Sequence, residues 1–138
     1  MAKEQKRKPR PIVTYALLTA MILLHLYLSL LPREAALLLY ETYSLFPVRL
    51  FDGATVDTLL TYIFLHGNWA HLFANAVSLL GAGAIVENDI GHLKFLGAFI
   101  TSGVMAGLIH SLLNPSTSIP VIGASGAIFG IIAILFLL

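Results

Sequence analysis

Four apolar runs, each close to the length a helix needs to cross a bilayer, constrain this chain more than any other feature. They cover residues 12–31, 69–86, 95–113 and 121–138. A hydrocarbon core of about 30 Å takes about 20 residues of helix. Lipid offers no partner to an unpaired N–H or C=O, so such runs must satisfy their backbone internally, as helices. Only 11% of the residues are charged and the mean hydropathy is +0.89, whereas about a quarter of a soluble domain is charged. The sequence therefore predicts an all-α fold, a polytopic transmembrane helix bundle.

Charge sets the expected topology. Lys3, Lys6, Arg7, Lys8 and Arg10, five of the eight basic residues, precede the first run, which by the positive-inside rule makes residues 1–11 a cytoplasmic N-terminus and 12–138 the membrane domain. The first run is too long for a signal-peptide core and is followed by Pro32 and Arg33 rather than a cleavage site, so it reads as a retained span. The basic cluster is a topology signal, and no nucleic-acid partner is expected; the lipid bilayer is the obligatory one. Absence of cysteine excludes disulfides, thiolate nucleophiles and cysteine-ligated metal, and neither a metal nor a cofactor is expected.

Residues 32–66 form a long outer loop that is far from hydrophilic. Its apolar pieces, around Leu37 to Tyr40 and Leu45 to Phe51, are too short to span and are interrupted by Pro47 and Gly53, so the loop is expected to lie in the interface. Gly67 and Asn68 read as a turn, with Asn68 capping the second span. Glycines recur at close-packing spacing, Gly103 with Gly107 and Gly126 with Gly130. The second pair should turn the face next to Ser125 toward another helix. Residues 131–138 are apolar without an interfacial anchor. The expectation is that further helices follow, removed or supplied by a second chain, and that contacts missing from the Gly126 and Gly130 face leave the chain less stable.

The polar residues inside these segments carry the chemistry. With Asn68 as cap, His71 stands at the third helical position, about 4 Å into the helix at 1.5 Å per residue, and Asn75, four residues on, shares its face. Ser125, shortly after Pro120, enters from the same outer side at similar depth. Two side-chain donors beside a serine suit an oxyanion hole, to which the Ser125 backbone N–H could add a third donor. Gly123 and Gly126 allow a tight backbone around the serine. Each element alone has a plainer reading: a Gly-Ala-Ser-Gly packing motif, an interfacial histidine, an interhelical hydrogen bond from asparagine. Intramembrane polar groups are costly, and their convergence is what points to function.

Residues 64–75, with the Gly123 to Gly126 motif continuing through Ala127, Ile128, Phe129 and Gly130, resemble the rhomboid family of intramembrane serine proteases. Glu87 and Gly91 resemble the acidic residue and glycine that close the family's second span, and the resemblance runs from about Thr61 to the end of the chain. It implies a core of six helices, of which this chain carries four. It also implies hydrolysis of peptide bonds in or near transmembrane segments of membrane-protein substrates, at the cell membrane, by a Ser-His dyad. By that resemblance Ser125 is the nucleophile, and His71, Asn75 and the Ser125 backbone N–H form the oxyanion hole. The family's base is a histidine on the sixth helix, which has no counterpart here, so this chain alone is expected to be inactive. The family's Trp-Arg pair is replaced by Asp57 and Thr58.

Structural roles are expected for the other histidines: His66 bonding in its loop, His25 deep in the first span, His92 on the cytoplasmic side, and His110 on a neighbouring helix near the outer side, the one whose place also allows it to be weighed as a substitute base, although nothing in the resemblance points to it. Two other classes compete, a non-catalytic rhomboid-like binder of transmembrane segments and a helical scaffold or transporter fragment. A binder needs no oxyanion site, and a transporter usually places ionisable residues at the midplane, where this chain has only His25.

Overall fold

The computed structural model describes residues 10–51 and 55–138. Residues 1–9 of the basic segment, and Asp52 and Gly53 of the outer loop, lie outside them.

Helix α1 (Ile12–Leu30) is capped from another part of the chain. No side chain of its own sequence caps it; instead the Glu87 carboxylate accepts from the N–H groups of Val13 (2.8 Å) and Thr14 (2.7 Å) and from the Thr14 hydroxyl (2.7 Å). Helix starts leave their first amides unpaired and carry partial positive charge, so a carboxylate there is doubly favourable. Pro32 forces Leu31 into extended backbone (ψ 153°) and ends the helix.

The outer loop folds into α2 (Arg33–Tyr43), α3 (Pro47–Leu50), α4 (Thr58–Thr61) and a 3-10 turn (Tyr62–Phe64). No residue of α2 is buried, and its Leu37 and Leu38 are 56% and 65% exposed, as an interface-lying helix requires. Pro47, expected to interrupt the loop, opens α3 at its first turn, where the missing N–H costs nothing. Between α2 and α3, Leu45 pairs with Val121 as an isolated bridge (N–H to O, 3.1 and 2.8 Å). The Val48 N–H donates to Thr117 O at 3.2 Å, so the loop is stitched to the link between the last two helices.

The second span is one rod in three parts: α5 (Trp69–Ser78), a π turn (Leu79–Gly83) and α6 (Ala84–Ile90). The wide turn coincides with a tight crossing, where a Cβ on Gly83 would meet Thr14 Oγ1 at 3.1 Å and the Phe95 ring at 3.2 Å. Gly91, at φ +87°, reverses the chain into α7 (His92–Leu113). Helix α8 (Ser125–Leu135) follows the link. The fourth apolar run is thus helical only from Ser125, because the backbone of Val121 is committed to Leu45. Three rods, Ile12–Leu30, Trp69–Ile90 and His92–Leu113, are long and apolar enough to cross a membrane; α8 is shorter.

Helices α7 and α8 form the tightest pair, and small residues set it. The glycines of α8 do not meet those of α7: Gly126 lies on Ala106 and Gly130 on Ser102. Gly103 and Gly107 of α7 receive Ile63, Tyr62 and Leu45 from the outer loop, and Gly103 also lies on Ala127 of α8. This corrects the expectation that the Gly126 and Gly130 face lacks its partner, because α7 of the same chain fills it. The core joins these layers through Met21, Leu45, Ile63, Leu79, Phe95, Phe99 and Ile131, all fully buried. Phe73, Phe129 and Phe136 face outward at 70%, 70% and 85% exposure, which is at no cost where the surrounding medium is hydrocarbon. The described residues form an all-α helix bundle.

Candidate active site

Asn68 sits in extended backbone (φ −161°) and its Oδ1 accepts the His71 N–H at 2.8 Å, fixing the start of α5 just outside His71. One turn later the Asn75 side chain leaves from the same face. Both meet the turn before α8. A Cβ on Gly123 would stand 2.7 Å from His71 Cε1 and Nε2 and 3.4 Å from Asn75 Nδ2. Gly123 also adopts φ +115°, which side chains rarely take, and its N–H donates to Tyr62 O at 2.9 Å. The glycine therefore does two jobs, making the turn and letting the histidine press against it.

Two residues on, Ser125 opens α8 with its side chain exposed. The first amides of a helix have no intrahelical partner, and the next backbone bond along α8 is Ile128 N–H to Ala124 O (2.9 Å). The Ser125 N–H thus lies among free donors at the positive end of a helix dipole, beside a serine hydroxyl and within one glycine of His71 and Asn75. Such an array can stabilise an oxyanion on a carbonyl attacked by the hydroxyl. Gly126 serves the site indirectly, by seating α8 on Ala106.

On the other flank, Ser125, Gly123 and Gly126 share a cavity of about 170 Å³ with Tyr62, Ala106, His110, Val121 and Ile122. The Tyr62 hydroxyl donates to Gly103 O at 2.7 Å, and burial pushes its phenol pKa up from the ordinary value, so it stays a donor. Among the described residues no side chain hydrogen-bonds to the Ser125 hydroxyl, and no group of His, Asp or Glu could hold a metal ion.

The remaining histidines divide. His92 pairs with the buried Glu87 at the far end of the bundle. His25 packs edge-on against Trp69 with ring centroids 4.6 Å apart, which places it at the mouth of α5 rather than isolated at the midplane. His66 is fully buried: its Nδ1 lies 3.2 Å from Phe64 O, its Nε2 lies 2.9 Å from Asn75 Nδ2, and its ring stacks edge-on against His71 at 5.1 Å. Burial, the largest cause, lowers its pKa to about 4, with the neighbouring His71 and His25 adding to the effect and the Phe64 carbonyl opposing it. Sequence reasoning gave His66 only a loop bond. Its contact with Asn75 is nine residues away and set by the turn at Gly67, so no helical spacing announces it.

Residues 54–138 match the family model of the rhomboid domain. The chain is 30% identical to the putative rhomboid protease YdcA of Bacillus subtilis over 124 residues, 90% of this chain and 60% of that protein. It is 33% identical to rhomboid-like protease 1 of Toxoplasma gondii over 123 residues, 89% of this chain and 41% of that protein. It is 32% identical to RHOMBOID-like protein 5 of Arabidopsis thaliana over 84 residues, 61% of this chain and 27% of that protein. The chain thus spans between about a quarter and 60% of the length of these relatives. No solved structure matches it significantly. The family match covers more than half of the residues, including the whole of the His71, Asn75 and Ser125 arrangement, and the chain belongs to the rhomboid family.

Proposed function

We propose that the protein is an intramembrane serine endopeptidase that hydrolyses peptide bonds in or near transmembrane segments of other membrane proteins. Ser125 Oγ is the nucleophile. Its proton passes to a histidine from outside these 138 residues, which returns it to the departing amine. The tetrahedral oxyanion is held by the Ser125 N–H, the His71 ring and the Asn75 carboxamide. The observation that carries this reading is the seating of His71 and Asn75 against Gly123, two residues before the serine at a helix start. A scissile bond at this depth belongs to a substrate helix that unwinds near its outer end. The protein sits in the cell membrane with its N-terminus in the cytoplasm, a placement supported by the basic residues ahead of α1. Its partners are the bilayer, the substrate helix and the further rhomboid helices, in the same polypeptide or another.

One observation favours a second reading, a non-catalytic binder of transmembrane segments: among the described residues no imidazole or carboxylate hydrogen-bonds to the Ser125 hydroxyl, although His110 lines the same cavity. Proteolysis of a single-span reporter in liposomes separates the two. The protein is reconstituted alone and with a polypeptide supplying further rhomboid helices with a histidine. Cleavage that needs those helices and disappears in Ser125→Ala supports the protease. Reporter capture without cleavage in every combination supports the binder.

A further inference from the structure

We propose that His66 is a positioning residue for the oxyanion site: its imidazole Nε2 holds the Asn75 carboxamide with the Nδ2 group turned toward the Gly123 to Ser125 backbone. This inference rests on the reading of Asn75 as an oxyanion donor.

Hydrogen-bonding capacity decides the arrangement. The Phe64 carbonyl oxygen can only accept, so the His66 Nδ1 beside it, at 3.2 Å, carries the proton and donates. That leaves Nε2 with a lone pair, and a lone pair 2.9 Å from the Asn75 amide must face its Nδ2–H. The reverse amide orientation would set Oδ1 against Nε2, acceptor against acceptor, with His66 fully buried and Asn75 6% exposed. One hydrogen of Nδ2 is thus held by His66. The group itself lies 3.4 Å from where a Gly123 Cβ would stand, which leaves its second hydrogen for the turn leading to Ser125.

The histidine is itself fixed. Its carbonyl accepts the Tyr40 hydroxyl at 2.6 Å, tying it to α2, and its ring packs on His71. The titratable groups around it are Tyr40 from α2, His25 from α1 and His71 from α5. None is a carboxylate that would favour protonation of the ring. A proton on Nε2 would confront the Asn75 N–H with another donor and turn the amide, removing a donor from the hole. Burial keeps that state rare near neutral pH.

Two measurements on the full chain in lipid bicelles test this. Nitrogen NMR of histidine- and asparagine-labelled protein should find His66 protonated at Nδ1, with a through-bond coupling between Nε2 and the Asn75 Nδ2–H. A His66 proton on Nε2, or no coupling, overturns the proposal whatever the variants do. The second measurement is the rate of Ser125-dependent modification by a fluorophosphonate, with the further rhomboid helices present. His66→Phe fills the space but removes the acceptor, and should slow modification about tenfold or more at unchanged half-saturating reagent. His66→Gln, which offers an oxygen near the Nε2 position, should recover most of the rate. Equal rates in the Phe variant and the unsubstituted protein overturn the positioning role while leaving the protease reading intact. If the unsubstituted protein shows no Ser125-dependent modification, the protease reading fails and the catalytic meaning of the His66 contact fails with it, even where the coupling is seen.

Discussion

Replacing Gly126 by alanine should destabilise the protein, and replacing Ala106 by glycine in the same chain should rescue it. The Cβ introduced on Gly126 would stand 2.5 Å from Ala106 Cβ, about 1 Å or more inside the separation at which two methyl carbons rest. The α7 and α8 backbones would have to part by most of that distance, and overpacking of this kind costs about 1–3 kcal/mol. Alanine's better helix propensity returns up to about 1 kcal/mol, so that with the full return the net loss is about 0–2 kcal/mol. With glycine in place of Ala106 the nearest atoms become the Tyr62 hydroxyl at 3.5 Å and the Cα at that α7 position at 4.0 Å, ordinary contacts. Equilibrium unfolding of the four proteins in mixed micelles gives the coupling directly, and it should favour the double variant by about 1–3 kcal/mol. Additive effects, with the double variant no better than the sum of the singles, would refute the α7 to α8 contact as described.

Three further outcomes follow from the geometry. Gly123→Ala should lower Ser125-directed modification by about a hundredfold or more with the helices retained by circular dichroism, because the residue needs φ +115° and its Cβ would displace His71; an unimpaired rate would mean that His71 does not press on this turn. Glu87→Ala should cost about 3 kcal/mol, since the buried carboxylate accepts three hydrogen bonds from Val13 and Thr14, and amide exchange should rise first at the start of α1; a loss spread evenly over the bundle would contradict the capping role. Because the folded His66 pKa is lowered to about 4 from an ordinary 6.5, the unfolded chain binds more protons between those values. Stability from this group is complete above pH about 6.5 and declines as pH falls toward about 4, by at most about 3 kcal/mol; unfolding midpoints of the His66→Gln variant should be flatter over that window, and identical slopes would count against the burial of a neutral ring.

What could be read from residues alone was local. Asn68 as a cap and His71 with Asn75 on one face follow from helix geometry, which ties residues three and four apart. Gly91 at the end of the second rod came only through the resemblance to the rhomboid family; the apolar pattern alone ended that span at 86, whereas the helix runs on through the polar residues to Ile90. What could not be read was set across the chain. The bridge from Leu45 to Val121 delays the last helix to Ser125, although the apolar run begins earlier, because an apolar residue whose backbone is already paired reads the same as a helical one. Pro47 looked like an interruption and is a helix start, since proline at the first turn and proline in a loop share one local signal. Glycine spacing marked Gly126 and Gly130 for close contact but could not say with what, and the partners, Ala106 and Ser102, are small residues that spacing did not single out. His66 escaped for the same reason: its contact with Asn75 exists only once the turn at Gly67 has folded.

In the proposed function His71, Asn75 and the start of α8 form one oxyanion site around Ser125. Its most direct test is a series of fluorophosphonate modification rates, read by intact mass, for the unsubstituted protein and for Ser125→Ala, His71→Ala and Asn75→Ala, each with the further rhomboid helices present. A single adduct on Ser125 is expected, with none in Ser125→Ala and rates lower by about a hundredfold in Asn75→Ala and His71→Ala at similar half-saturation. An adduct elsewhere, or rates unchanged in both His71→Ala and Asn75→Ala, would rule that site out.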